Sequence, residues 1–456
     1  MRKLLVLSFL IFTLGYSQNK QVLYDFANLP QTLLLNPGAE VDYKFHVGVP
    51  FLSQISFQGG FTGFSAYDIF ADNGININDK IRAALSNYGK SEFVAVNQQL
   101  EILSGGFRLQ NKNYLSFGYY EEFDLLTKIP KDLVDLFYDG NTIINKHYSV
   151  KKLAARAEFL GVLHVGLSKK LNDKWQIGAR VKLYSAMFNV KSKLNTGALY
   201  AQLGTNNTYN QHLQNVNLSL QTSGIILENG ETIDASYVKK NLLFGGNLGL
   251  GFDVGFTHHV EKQWTISGSI QDLGVVYNTK NVESYSIIGD YEIEGIQLAF
   301  DQNIPENYWE NLKDDFKGKI VSDTIYKNYI SFRPVKLNGS LSYSFGQTYD
   351  DCRFLVDEGL FNNKIGFQWF STVGAVHSYM AATVFIEHKI NKYLQTKLTY
   401  TADPYSFSNV GIGLSTQIGL FNAYFTADNL LNLNNMYAAK SASFQLGLNL
   451  ILKKKN

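Results

Sequence analysis

The sequence predicts an all-β protein: a transmembrane antiparallel β-barrel of about fourteen strands (twelve to sixteen), with a plug-like amino-terminal segment and long external loops. Three observations carry this expectation. The final stretch alternates strictly, with Ala442, Phe444, Leu446, Leu448, Leu450 and Leu452 on one face and Ser441, Ser443, Gln445, Gly447 and Asn449 on the other; that is the period of a strand and not of a helix. Several alternating segments hold their period for about eleven to nineteen residues, against the five or six usual in soluble sheets, and tilted strands of that length cross a bilayer. The composition is 45% apolar and 18% charged, with 28 Tyr, 32 Phe, 38 Gly and 7 Pro. It leans toward β-structure and lies below the roughly 25% charge of globular domains.

At the amino terminus, Arg2 and Lys3 precede the apolar run Leu4 to Leu14, and small residues follow at Gly15 and Ser17. This is the pattern of a secretory signal peptide over residues 1–17, with the mature chain starting near Gln18. There is no Cys beside the cleavage site to carry a lipid anchor, and no later run approaches the ~20 apolar residues of a membrane helix. The expected location is the bacterial outer membrane, with outer-membrane lipid as the surrounding partner. The chain then divides into a plug-like or periplasmic segment at 18–53, a barrel at 54–452 and a tail at 453–456. The net charge of +2 points to no partner. Lys453 to Lys455 read as a solvated tail, and no basic run suggests nucleic acid. The lone Cys352 reads as an incidental thiol in a polar loop.

Within 18–53, the run Leu29-Pro30-Gln31-Thr32-Leu33-Leu34-Leu35-Asn36-Pro37-Gly38 holds two prolines, which exclude a regular central strand. Leu33, Leu34, Leu35, Asn36 and Pro37 are the plug candidates, folded into the lumen or beneath it. Phe45, Val47 and Val49 add a short strand. The first long strand is Gln54 to Ser65, followed by a polar external loop, Asp68 to Asn97, in which Ile81, Ala84 and Leu85 have helical spacing. A hairpin turning at Asn111-Lys112-Asn113 joins Leu103–Gln110 to Leu115–Tyr119. A loop with a helix at Lys131 to Phe137 comes next.

Two strands with charged faces follow. Ala155, Ala157, Phe159, Leu163, Val165 and Leu167 oppose Arg156, Glu158, His164 and Ser168, while Trp175, Ile177, Ala179, Val181 and Leu183 oppose Gln176, Arg180, Lys182 and Tyr184. With lipid on the apolar side, the charged side lines the lumen, where opposite charges pair across neighbouring strands. Asn195 to Asn247 is a polar loop containing one more alternating piece (Val216, Leu218, Leu220). Leu248 to Phe256 is a strand with Asp253 on its polar face. After Trp264, Ile266 and Ile270 comes a second insert, Asn278 to Arg333. Further strands are Val335–Phe345, Lys364–Val373, Tyr379–Ile390, Leu394–Ala402, Val410–Leu420, Phe421–Ala427 and the final stretch. With this count the long loops after Ser65, Phe123, Leu194 and Leu273 fall on one side and most tight turns on the other; Gln347 to Asn363 is the exception. Trp175, Trp264 and Trp369 lie near strand ends, where aromatic girdles form.

The candidate functional cluster is the lumen-lining set Arg156, Glu158, Arg180, Lys182, Tyr184 and Asp253. It has three readings: a pore-selectivity element, a dock for the plug, or a paired network that fills the lumen. No Gly-x-Ser-x-Gly elbow is present, so catalysis is not expected. His258 and His259 face opposite ways on a strand, and Asp72 to Asp79 lacks EF-hand spacing. No metal and no cofactor are expected.

The stretches Leu34-Leu35-Asn36-Pro37-Gly38, Val49-Pro50 and Gly419-Leu420-Phe421-Asn422-Ala423-Tyr424-Phe425-Thr426-Ala427-Asp428-Asn429-Leu430-Leu431 resemble an uncharacterised family of Bacteroidota outer-membrane barrels. That family is similar to the PorP/SprF proteins of type IX secretion and gliding, and more remotely to FadL/PorV barrels. The FadL side of the resemblance implies a plugged fourteen-stranded barrel passing hydrophobic solutes. The PorP/SprF side implies a non-catalytic accessory barrel with secretion-complex partners.

Overall fold

The computed structural model describes residues 20–110, 113–141, 143–192, 195–204, 209–226, 233–293, 322–347 and 361–453. The amino-terminal segment carries one helical turn, α1 (Thr32–Leu35), and enters the wall at β1 (Tyr43–Gly48), continued after a break by β2 (Gln54–Phe61). Both pieces pair with β3 (Ser91–Arg108) on one side and with the last strand of the chain on the other. They are therefore one interrupted wall strand, and they close the barrel.

Between β2 and β3 lie α2 (Ala66–Phe70), held by a Ser65/Asp68 capping box, and α3 (Ile77–Ser86), capped by the Asn76 side chain. Next come β4 (Tyr114–Pro130), α4 (Lys131–Asp139), β5 (Tyr148–Ser149), β6 (Ala154–Lys170) and β7 (Trp175–Ser192). Beyond these are β8 (Thr196–Leu203), β9 (Tyr209–Ser223), α5 (Ala235–Lys240), β10 (Asn247–His259), β11 (Trp264–Asn278), β12 (Val282–Ile293) and β13 (Ser322–Ile325). The chain then builds β14 (Tyr329–Phe332), β15 (Val335–Gln347), β16 (Phe361–Val373), β17 (Tyr379–Lys389), β18 (Leu394–Ala402), β19 (Asn409–Ile418), β20 (Phe421–Ala427) and β21 (Ser441–Lys453).

Each wall strand pairs antiparallel with its neighbours, and β21 returns to β1 and β2. Among the described residues this is a closed barrel of fourteen wall strands, with β1 and β2 as one and β14 and β15 as another. β14 and β15 are separated at Arg333-Pro334, where proline has no N–H to give the ladder. The long connections after β2, β4, β7 and β11 share one rim, and the short turns after β6, β10, β17 and β19 share the other. On the long-loop side β5, β8, β9, β12 and β13 extend the sheet beyond the wall, tied to it where β9 meets the end of β7.

The alternation reads out as an inverted protein. Phe252 is 52% exposed on the outside and its neighbour Asp253 is 0% exposed on the inside. Leu163, Val165, Val181, Leu250, Phe367 and Val384 share the outer band, while Gln368, Thr383, Lys397 and Asn449 are buried inside. Only a barrel surrounded by hydrocarbon makes this arrangement favourable, since a basic charge turned to lipid costs about 2–4 kcal/mol at the bilayer centre.

Some expected boundaries move. The wall begins at Tyr43 rather than 54, because β1 alternates outward Phe45 and Val47 with inward His46 and finds partners on both sides. β3 starts at Ser91, inside what reads as a polar loop, and β4 runs on to Pro130. Above the lipid both faces of a strand are polar, so the alternation that marks it fades. Trp175 and Trp264 open their strands, but Trp369 lies well inside β16. The signal segment, Leu194, Cys352 and residues 348–360 lie outside the described residues.

Candidate functional site

The lumen holds the segment from Lys20 to Val41. This plug packs its own apolar residues together, Leu23, Tyr24, Phe26, Leu29 and Leu35 forming a small core that meets the wall at Tyr424. Leu33, Ala39 and Val41 pack with Tyr43, Tyr114 and Ile451 of the wall, and Leu34 rests on the cluster of Leu160 and Tyr184; the polar contacts to the wall fall mainly on plug backbone carbonyls. Arg180 donates to the carbonyls of Leu34 (3.1 Å) and Leu33, Ser269 Oγ to Leu35 O (2.6 Å), Thr257 Oγ1 to Gly38 O (2.9 Å) and Gln176 Nε2 to Ala39 O (2.6 Å). At the other end Lys397 Nζ (2.6 Å) and Gln368 Nε2 (2.9 Å) both donate to Tyr24 O, while Glu387 accepts from Ala27 N–H at 3.1 Å. Asp25 and Ala27 take left-handed backbone (φ 55° and 47°) in that turn, a strained conformation for residues with a Cβ that these clamps hold in place.

The five plug candidates all lie in the lumen. Leu33, Leu34 and Leu35 supply the carbonyls just named, Asn36 Nδ2 donates to Phe256 O at 3.1 Å, and Pro37 rests on Gly178. A Cβ on Gly178 would stand 1.9 Å from Pro37 O, and one on Gly255 would stand 2.0 Å from Asn36 Oδ1. Gly178 and Gly255 face each other across β7 and β10, so the pair is a socket for the plug tip.

Above the plug, charges bridge the lumen. Asp253 lies opposite Arg180 in register, taking Arg180 at 3.0 Å and Lys182 at 2.8 Å. Lys182 also meets Asp272 at 2.6 Å, and Tyr184 OH donates to Asp272 at 3.2 Å. Lys336 reaches Asp272 (2.9 Å) and Glu122 (3.1 Å). Arg333 pairs with Glu122 (2.8 Å) and Glu158, and Arg156 closes the chain on Glu158 (2.5 Å) and Asp124. Arg156, Arg180, Lys182, Arg333 and Lys336 thus balance Glu122, Asp124, Glu158, Asp253 and Asp272. Because Arg333 stands on the far wall from Glu122 and Glu158, its guanidinium is a spoke across the interior. All six lumen candidates are in this assembly.

Sequence reasoning missed half of it. Glu122 and Asp124 continue the inward alternation of β4 past the point where the strand was expected to end. Asp272 is turned inward by a β-bulge, the register stepping from Phe252↔Leu273 to Val254↔Ile270, and strict alternation has no sign of a bulge. Arg333 lies in the strand break beside Pro334.

The long-loop rim is closed by aromatic rings. Phe93 packs against His377 (4.6 Å), Tyr405 (5.5 Å) and Tyr379 (5.7 Å). The cavity left between plug, network and lid is ≈ 70 Å³. At ~10–15 Å³ per buried water it has room for about five to seven waters.

Just beyond the strand ends, burial pushes the Asp403 carboxyl up to about 6 and the Asp428 carboxyl up to about 7. Both lie above the unfolded value of 3.8, so the stability they contribute is complete below pH ~4 and is lost as pH rises through 6 to 7. The folded barrel is expected to melt at higher temperature at pH 5 than at pH 8 in a heat-modifiability gel, with most of that difference absent from Asp403→Asn/Asp428→Asn. An unchanged difference in the double variant would remove this cause.

His258 stacks on Trp175 at 4.0 Å, and His259 turns away to Glu40 at 2.8 Å. His164 is buried in the lumen against Tyr120. Ser104 Oγ reaches His46 Nε2 at 3.4 Å, but the partner that orients His46 is the Tyr114 hydroxyl and not a carboxylate.

A comparison with curated proteins gives no match. Among solved structures, the CymD monoaromatic hydrocarbon channel is 8% identical with a TM-score of 0.43, covering 97% of this chain and 98% of its own. A Pseudomonas aeruginosa FadL homologue is 11% identical with a TM-score of 0.42 (96% and 99%), and the Pseudomonas putida toluene transporter TodX 10% with 0.36 (96% and 94%). Likeness this distant carries no argument about what this barrel does. The sequence itself matches a family profile over residues 37–428, from the plug tip to the end of β20, and by that match the chain belongs to DUF5723, a family of unknown function.

Proposed function

We propose that this protein is an outer-membrane transport barrel held closed by its own amino-terminal plug, and that solute passes only when the plug leaves its seat. The observation that carries the reading is how the plug is bound. One group of its apolar residues packs within the plug while Leu33, Leu34, Ala39 and Val41 rest on wall residues, and its polar contacts to the wall are largely hydrogen bonds from wall side chains to plug carbonyls. Such hydrogen bonds exchange for water at a net cost of about 1 kcal/mol each, so they hold the plug in register without locking it in. The ten paired charges above it make the opened path polar, so this reading favours small polar or amphipathic solutes over the hydrophobic ones implied by FadL-like barrels.

Conductance across planar bilayers tests it. The full-length barrel is expected to stay closed, and a variant lacking residues 20–41 to show stable single-channel steps. A folded deletion variant with no conductance would overturn the proposal.

A second reading is supported by the filled lumen and by the sheet extension on the long-loop rim. In it the barrel is a non-conducting accessory of a secretion or gliding complex, recognised through β8, β9 and β12. A closed deletion variant that retains a bound protein partner would favour it.

A further inference from the structure

The lipid-facing side of β4 reads Leu115, Phe117, Tyr119, Glu121, Phe123 and Leu125, and a carboxylate interrupts it. Glu121 lies between Leu100 of β3 and Gly161 of β6. Gln98, the next outward position on β3, lies between Phe57 and Phe123. With Leu100, Phe123 and Phe159 these two polar residues line an open cleft of ≈ 400 Å³ on the outer wall.

The cleft is built. Its aromatic side is a cluster in which Phe123, Phe159 and Phe188 pack at 6.4–6.5 Å. Beside it the connection after α5 folds down over the outside of the wall. Tyr119 OH donates to Leu242 O at 3.1 Å and Ser185 Oγ to Asn241 O at 2.6 Å. Leu242 O presses so closely on Gly161 that a Cβ there would stand 2.2 Å from it.

Inside the barrel every carboxylate of the network faces a cation. Outside, among the described residues, neither Glu121 nor Gln98 has a hydrogen-bond or ion-pair partner. A carboxyl group set in an apolar recess at membrane level needs its complement from the occupant.

We propose that this cleft is a lipid site that seats an acyl chain of a membrane lipid bearing a primary ammonium, with the ammonium on Glu121 and the adjoining polar linkage on Gln98. The five lining residues divide accordingly: Leu100, Phe123 and Phe159 match a hydrocarbon chain, and the carboxylate and amide match a cationic head with hydrogen-bonding groups behind it. The site does not depend on whether the lumen opens.

The test is native mass spectrometry of the full barrel released from nanodiscs holding equal phosphatidylethanolamine and phosphatidylglycerol with identical chains. The wild type is expected to retain the ethanolamine lipid in about tenfold preference, the ratio one charge-assisted contact supplies. Glu121→Gln is expected to bind the two lipids equally, Glu121→Asp to recover part of the preference, and Phe159→Ala to lose both lipids. Unchanged heat-modifiability in each variant shows that the barrel has folded. No preference in the wild type, a preference that survives Glu121→Gln, or a co-purifying protein in place of lipid would each overturn the assignment.

Discussion

Arg333→Ala is expected to destabilise the barrel by about 3–5 kcal/mol, the cost of leaving buried charges without their partner. Arg333 is fully buried at its side chain, pairs with Glu122 and Glu158, and lies 3.6 Å from Asp272. Its guanidinium also lies over the Tyr184 ring at 5.6 Å. Removing it leaves Glu122 with Lys336 and Asn97 and Glu158 with Arg156, and takes away one of the two cations that tie β14 and β15 to β4 across the lumen. The measurement is the urea or thermal midpoint of the folded band on cold SDS gels. A triple variant, Arg333→Ala/Glu122→Gln/Glu158→Gln, separates lost packing from stranded charge. It is expected to recover most of the loss, since the carboxylates then carry no charge to strand. If the triple variant is as unstable as the single one, the network holds the barrel by shape and not by charge.

The second large effect belongs to the glycine socket. Gly178→Val/Gly255→Val is expected to convert a closed barrel into a conducting one. Side chains at these positions point into the lumen at the places now filled by Pro37 O and Asn36 Oδ1, and the intruding atoms would lie about 2 Å from them. The wall absorbs valine readily, since β-branched residues suit strands. The plug tip has nowhere to shift, because Gly38 is itself pressed on Gly255, with a Cβ there 2.4 Å from Gly255 O. With the tip lifted, Arg180 loses the Leu33 and Leu34 carbonyls and stays paired to Asp253. Single-channel recording checks this, and protease sensitivity of the 20–41 segment in folded barrels gives an independent readout. A variant that remains closed and protease-resistant would show that the plug has another seat, even if deletion of the plug opens the pore.

The parts of the site that were legible share one property. Arg156, Glu158, Arg180, Lys182, Tyr184 and Asp253 all belong to strands whose alternation is unbroken around them, so the side they face follows from their neighbours. Asp272 is invisible to that logic because the bulge flips the parity of β11. Arg333 is hidden at a break between β14 and β15. Glu121 escapes for the opposite reason: it faces outward, where a carboxylate is not expected, and its cleft exists only because β3, β4, β6 and a folded-down loop meet there.

From the order of its residues alone this chain is committed to a membrane barrel with its charges turned inward, its long loops on one rim and a proline-broken segment ahead of the wall. Periodicity is a local property, and lipid selects one face of each strand. Which charge meets which, whether the leading segment enters the lumen, and how little space remains there were decided only in three dimensions. Those outcomes depend on contacts between residues far apart in the chain, brought together by barrel closure and by bulges and breaks that a period of two does not encode.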